Sequence, residues 1–153
     1  VRHFYHNQTI KAYAGPHAGA QEIKGNEFNS YLRTMPHAEF PSGTSSVCGA
    51  YGTFMKKFLG DNVLSPPVRV SYPKGCSRRE PGLTPAAVLP MVLTDIDEMV
   101  KECGMSRLYA GVHFMSSIEA GWELGAAVGE HCFQRYQELA ARNSTAPPPP
   151  ASG

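Results

Sequence analysis

No apolar run in the 153 residues approaches the roughly 18 that a membrane-spanning helix needs. An excess of one charge is also missing: 14 Lys and Arg stand against 13 Asp and Glu, for a net charge of +1. That balance lacks the electrostatic footprint of a nucleic-acid binder or of a protein held on an anionic membrane. Cysteine is sparse. Cys48, Cys76, Cys103 and Cys132 are spaced too widely and irregularly for a zinc site, while two disulfides or four buried thiols both stay open. The opening Val1-Arg2-His3-Phe4-Tyr5-His6 is no signal peptide and reads as the middle of a domain, so a longer or processed precursor is expected. No internal repeat is visible, and no stretch alternates convincingly as a strand.

What is present fits a globular protein with one core: 42% hydrophobic and 18% charged residues over a length short for two domains. A helix is expected from Ser42 to about Leu59, with Val47, Tyr51, Phe54, Met55 and Phe58 as its apolar stripe. Lys56 and Lys57 suit its C-terminal dipole, and Gly60 suits its C-cap. Another is expected over Thr94 to Cys103, with Ile96, Met99 and Val100 inward and Gly104 as its stop. A last helix runs from Ser117 to Arg142, where Ile118, Trp122, Val128, Cys132, Phe133, Tyr136 and Leu139 recur mostly at spacings of three and four. Gly121, Gly125 and Gly129 on that helix suit close approach of a neighbour. Val1 to Tyr13 is weakly helical by pattern, and Asn62 to Pro90 is rich in turn formers and reads as a long connection. The fold class expected is all-α: residues 1–142 as the domain, followed by a Pro-rich flexible tail over 143–153. Two sequons, at Asn7 and Asn143, bear on glycosylation only if the chain is secreted. That leaves localisation unknown, with an extracellular site open.

Two constellations can carry chemistry. Phe40-Pro41-Ser42-Gly43-Thr44-Ser45-Ser46 opens the first long helix, where unpaired N–H groups and the helix dipole favour an anion. Gly43 permits close approach of a ligand to the backbone, although alone the segment is an ordinary N-cap after a proline turn. Ser106-Arg107, followed by His113, offers a fixed guanidinium fork and an imidazole that can act as nucleophile or ligand. Either residue alone is unremarkable, a surface cation or a hydrogen-bonded His.

In this order the two resemble the signature of the haloperoxidase and type 2 phosphatidic acid phosphatase superfamily. That signature is a Lys six residues before Arg-Pro, then Pro-Ser-Gly-His, then Ser-Arg, five residues, His, three residues and Asp. Pro41-Ser42-Gly43 matches the second part; Ser106-Arg107 and His113 match the third with correct spacing. The flanks Thr9 to Pro16, Glu80 to Ala86, Gly104 to Phe114, Ile118 to Gly121 and Leu124-Gly125 resemble vanadium-dependent haloperoxidases in particular. The chain is similar to the C-terminal portion of that family, over Val1 to about Leu139.

The resemblance implies a helical bundle that holds vanadate and oxidises halide with hydrogen peroxide. Ser42 and Gly43 would hold oxyanion oxygens, Arg107 would offset charge, and His113 would be the axial ligand or, in a phosphatase, the nucleophile. The chain departs from the pattern in three places. Thr44 replaces the acid–base His and has no titration near neutral pH. Ser117 replaces the Asp that would orient His113. No Arg-Pro pair occurs, so the Lys and the first Arg are missing, and Arg2 matches a later family Arg. His37 and His131 are candidate stand-ins without geometric support from sequence. The resemblance therefore points to a degenerate haloperoxidase-like domain with a structural or binding role in a larger assembly. Alternatives are an active enzyme seen in part and a related acid phosphatase. Vanadate is the expected cofactor if the domain is active. The expected partner is the missing N-terminal portion or companion chains, because apolar helix faces would otherwise be left open.

Overall fold

A computed structural model describes residues 1–144. Its elements run in the order β1 (Thr9–Tyr13), β2 (Ala20–Lys24), a short 3-10 turn (Gly25–Glu27), α1 (Gly43–Leu59), β3 (Val63–Tyr72), β4 (Leu89–Asp95), α2 (Ile96–Tyr109) and α3 (Met115–Ser144). The Pro-rich stretch 145–153 lies outside the described residues, and Asn143 and Ser144, assigned from sequence to the tail, end α3.

The all-α expectation is wrong. Two antiparallel two-stranded sheets accompany the three helices, β1 with β2 and β3 with β4. Val1 to Tyr13 is not helical: it forms turns that lead into β1, which pairs from Thr9↔Lys24 to Tyr13↔Ala20. The stretch from Asn62 to Pro90 is not merely a connection, since β3 occupies ten residues of it and pairs with β4 across an irregularity between Val63 and Val68. β2 and β3 are almost wholly exposed and β1 half-buries only Ile10, Ala12 and Tyr13, so the hairpins carry little of the apolar alternation by which a strand is read. Pro66 and Pro67 inside β3 also argue against a strand by pattern, since proline cannot donate to a ladder. In β4 only Met91, Leu93 and Asp95 alternate as half-buried.

α1 begins and ends as its sequence indicates. The Ser42 side chain caps the Ser45 N–H, Lys56 and Lys57 lie in the last turn, and Gly60 takes the left-handed conformation at φ 71°. α2 starts two residues later than expected, at Ile96, with Asp95 as its cap. It also runs past Gly104 to Tyr109. Gly104 is no stop: it is buried under the Trp122 ring, where a Cβ would meet Cζ2 at 2.5 Å.

The helices pack on their small residues. Gly121, Gly125 and Gly129 are buried against α1. A Cβ on Gly121 would lie 2.6 Å from the Ser42 carbonyl, and one on Gly125 or Gly129 would overlap the carbonyls of Ser46 and Ala50. This close crossing turns the bulky residues outward. Val47, Tyr51 and Phe58, expected as the inward stripe of α1, are 70%, 54% and 50% exposed. Leu124, Val128, Tyr136 and Leu139 of α3 are exposed likewise. The fully buried hydrophobic core is small: Ile96, Ala110 and Ile118. A disulfide joins Cys48 of α1 to Cys103 of α2, and Cys76 and Cys132 are free and exposed. Among the described residues no helix is long and apolar enough to cross a membrane.

Candidate functional site

The start of α1 and the loop between α2 and α3 meet. The Ser42 N–H donates to the Ser117 carbonyl at 2.9 Å, and Gly121 one turn further along α3 lies against the Ser42 carbonyl. Ser42, Ser45, His113 and Ser117 are the polar residues buried here. Ser42 Oγ accepts from the Ser45 N–H at 3.3 Å and from the Ser45 hydroxyl at 3.0 Å. A hydroxyl that accepts twice still has its own proton to donate. Gly43 is exposed, and a Cβ built on it would meet nothing within 4 Å. The chain's own packing therefore does not require glycine there, and the space over the first free N–H groups of α1 stays open. Thr44 sits half-buried in the same turn.

His113 is held from one side only. Its Nδ1 lies 2.7 Å from the Glu39 carbonyl oxygen. A carbonyl can only accept, so Nδ1 carries the proton, and in the neutral ring Nε2 keeps its lone pair. That Nε2 is buried and has no hydrogen-bond partner among the described residues. A buried nitrogen left without a partner is costly in a finished structure, so the atom is suited to a ligand. The His37 ring stacks on His113 with centroids 5.8 Å apart and planes at 19°. Of the two stand-in histidines, both exposed, His37 stacks on His113, whereas His131 lies on α3.

Arg107 occupies the last turn of α2, and its Nε is also buried without a partner among the described residues. It does not line the cleft of about 940 Å³ that opens beside His113, whose charged lining is Arg2, Lys11, Arg33, Arg79 and Glu39. Arg2 is occupied: its Nε donates to the Phe28 carbonyl at 2.7 Å, and its guanidinium also bonds Asn29.

Glu39 was not singled out by sequence, although it stands directly before Phe40-Pro41-Ser42. Its Oε1 accepts the Phe114 N–H at 2.9 Å and lies 3.4 Å from His113 Nδ1. Burial alone would raise this carboxyl, but Ser117, the Phe114 N–H and His113 together outweigh it and hold the group below its usual range. The Ser117 hydroxyl acts there by proximity, since no partner meets hydrogen-bond geometry at its Oγ.

An imidazole lone pair, a hydroxyl proton and a helix N-terminus are each suited to an oxyanion such as vanadate. Of the residues mapped from sequence, His113 lines the cleft, whereas Ser42, Gly43 and Arg107 do not. The chain contains no Arg-Pro pair. Among the described residues no group of three or more His, Cys, Asp or Glu is placed to hold a metal ion by itself.

Comparison with known proteins identifies the family. The family model of the VCPO second helical-bundle domain matches residues 1–142. The crystal structure of an apo-type bacterial vanadium-dependent chloroperoxidase is similar at a TM-score of 0.82 and 30% identity, over 90% of this chain and 30% of that one. The holo-type structure of a bacterial vanadium-dependent chloroperoxidase gives 0.81 and 30% identity, over 90% of this chain and 29% of that one. No curated protein matches. The chain thus spans about 30% of the length of the chloroperoxidases it resembles. On the family match, the chain belongs to the vanadium-dependent haloperoxidases, as a second helical-bundle domain.

Proposed function

We propose that this domain is the imidazole-bearing side of a haloperoxidase oxyanion pocket, and that by itself it holds the anion without turning over. The observation that carries the reading is the buried, unpartnered Nε2 of His113. Ser42 and the N–H groups at Gly43 would take oxyanion oxygens, Arg107 would offset charge, and His113 would hold the anion through Nε2. Vanadate, when bound, supplies a Lewis-acidic centre toward hydrogen peroxide. Two features keep the chain from acting alone. One Arg offsets little of an oxyanion's charge, and Thr44 has no proton to exchange near neutral pH. The outward Val47, Tyr51, Phe58 and Leu124 supply a surface for the remaining portion of the family's domain or a companion chain. In a degenerate domain that surface would be the retained function.

A second reading, an active haloperoxidase in the complete protein, is favoured by the exposed His37 imidazole stacked on His113, which puts a second imidazole beside the first despite Thr44. The test is bromination of monochlorodimedone with peroxide, bromide and added vanadate. The chain alone should show no turnover, and His113→Ala should abolish vanadate binding seen by ⁵¹V NMR. Turnover by the purified chain, lost in His113→Ala, would overturn the proposal. Turnover only after addition of a segment carrying Lys and Arg-Pro would establish the active reading. Hydrolysis of a phosphate monoester without halide dependence would favour a phosphatase.

A further inference from the structure

The carboxylate that the family pattern places four residues after His113 is absent, because Ser117 stands there. His113 nonetheless has a carboxylate beside it. Glu39 reaches it from the loop ahead of α1, 74 positions earlier in the chain. Its main-chain carbonyl takes the Nδ1 proton at 2.7 Å, and its Oε1 lies 3.4 Å from the same nitrogen. That same oxygen accepts the Phe114 N–H at 2.9 Å. One residue thus grips both the ring of His113 and the peptide that follows it.

We propose that Glu39 is the positioning carboxylate of His113, filling in space the role left vacant in sequence at Ser117. The inference rests on the oxyanion-site reading of His113, but the contacts that carry it lie within this chain. An imidazole whose far nitrogen faces a carboxylate is held in one tautomer and one orientation, and its other nitrogen becomes a better donor to a ligand. Ser117 is fully buried nearby, but its hydroxyl has no hydrogen-bonded partner and carries no charge. The His113 side chain is 1% exposed and that of Glu39 is 42% exposed. The carboxylate therefore stands at the rim, between the ring and solvent, and leaves Nε2 directed to the interior.

A lesser role competes with this one, in which Glu39 only caps the Phe114 N–H at the entry to α3. Glutamine can perform that task equally well, because its amide oxygen accepts. Only the carboxylate adds charge at Nδ1. The experiment uses the full chain with ¹⁵N-labelled histidine, and His113→Ala identifies the His113 Nδ1–H resonance. Glu39→Gln should lower Tm slightly near neutral pH, move that resonance upfield and weaken vanadate binding, read by ⁵¹V NMR, by about 10- to 100-fold. Adding Ser117→Asp to Glu39→Gln, which restores a carboxylate at the family's own position, should recover both. An unchanged resonance and unchanged affinity in Glu39→Gln would overturn the inference. So would a lower Tm without movement of the resonance, which marks a charge that serves folding alone. If the resonance moves but wild type binds no vanadate, the oxyanion reading fails and the placement of Glu39 beside His113 stands.

Discussion

The amide of Ser42 donates to the carbonyl of Ser117 at 2.9 Å, so the first turn of α1 is fastened to the first turn of α3 through the backbone. The two chemistry-bearing segments are joined by a bond that no side-chain substitution removes. The Ser42 side chain has a separate task, accepting the Ser45 N–H. Ser42→Ala should therefore keep the two segments together while costing about 0.5–2 kcal/mol of unfolding free energy through the lost cap. Urea denaturation checks the loss. An unchanged midpoint would show that the cap contributes nothing.

Gly125 and Gly43 make a contrasting pair. A methyl on Gly125 would overlap the Ser46 carbonyl and crowd the Ala50 N–H, whereas one on Gly43 meets nothing within 4 Å. Gly125→Ala should push α1 and α3 apart and cost about 1–3 kcal/mol, the usual price of overpacking. Gly43→Ala should leave thermal stability level or slightly raised, since Ala is the better helix former, yet weaken oxyanion binding by intruding on the open face of α1. Melting curves and a vanadate titration on both variants separate the two effects.

The same glycines explain how much of the structure was legible in the sequence. α1 was readable because its cap, its terminal lysines and Gly60 all mark its ends locally. Its inward face was not, because periodicity locates the large apolar residues, while here Gly49 and Gly52 are buried and Val47 and Tyr51 face out. Which side of a helix becomes the interface depended on the Gly121–Gly129 stripe of a partner many residues away. The hairpins were hidden because neither face is buried enough to leave an alternating pattern. At the site, the motif spacing pointed to Ser42 and His113. Glu39 and His37 reach His113 through the path of the loop before α1, which no local spacing encodes.

The four cysteines divide into one bridge and two exposed thiols. The native chain should give two reactive thiols with a disulfide-exchange reagent and four after unfolding under reducing conditions. The bridge closes a loop with a sequence separation of 55 between α1 and α2. Its removal by Cys48→Ala with Cys103→Ala should lower unfolding free energy by about 2–4 kcal/mol, chiefly by loosening the unfolded chain. Four reactive thiols in the native chain would show that the bridge does not form.

Glu98 gives the entry to α2 a pH dependence. Its carboxylate accepts the Thr94 N–H at 2.8 Å and the Thr94 hydroxyl at 2.9 Å, and these bonds hold its pKa below the ordinary 4.5. A depressed folded-state pKa stabilises the fold above the ordinary value, and that contribution is lost as pH falls through the lowered one. Glu98→Gln should therefore be less stable than wild type near neutrality, and the difference should shrink as the pH is taken below about 4. Glu39 and Glu130 are shifted in the same direction, so the variant must be compared with wild type at each pH. A difference that stays constant down to acid pH would remove Glu98 as its source.

By the sequence resemblance Thr44 stands where the family pattern has an acid–base His, and the most direct repair is Thr44→His. Position 44 lies half-buried in the first turn of α1, two residues from the buried Ser42. A titrating ring there would supply proton exchange near neutral pH that a hydroxyl cannot. It would supply none of the cationic charge that an oxyanion pocket needs, because the chain contains no Arg-Pro pair and Arg107 remains the mapped cation. The Thr44→His chain should therefore still fail to brominate monochlorodimedone with vanadate, peroxide and bromide. Combined with a segment that carries the Lys and Arg-Pro, the same variant should exceed wild type by about 10²- to 10⁴-fold, the usual contribution of a positioned acid–base group. Turnover by the single variant alone would show that charge in the pocket is already sufficient and that only the proton shuttle was lacking. Equal turnover by wild type and variant in the presence of the segment would show that another group, with His37 the nearest imidazole, already moves the proton.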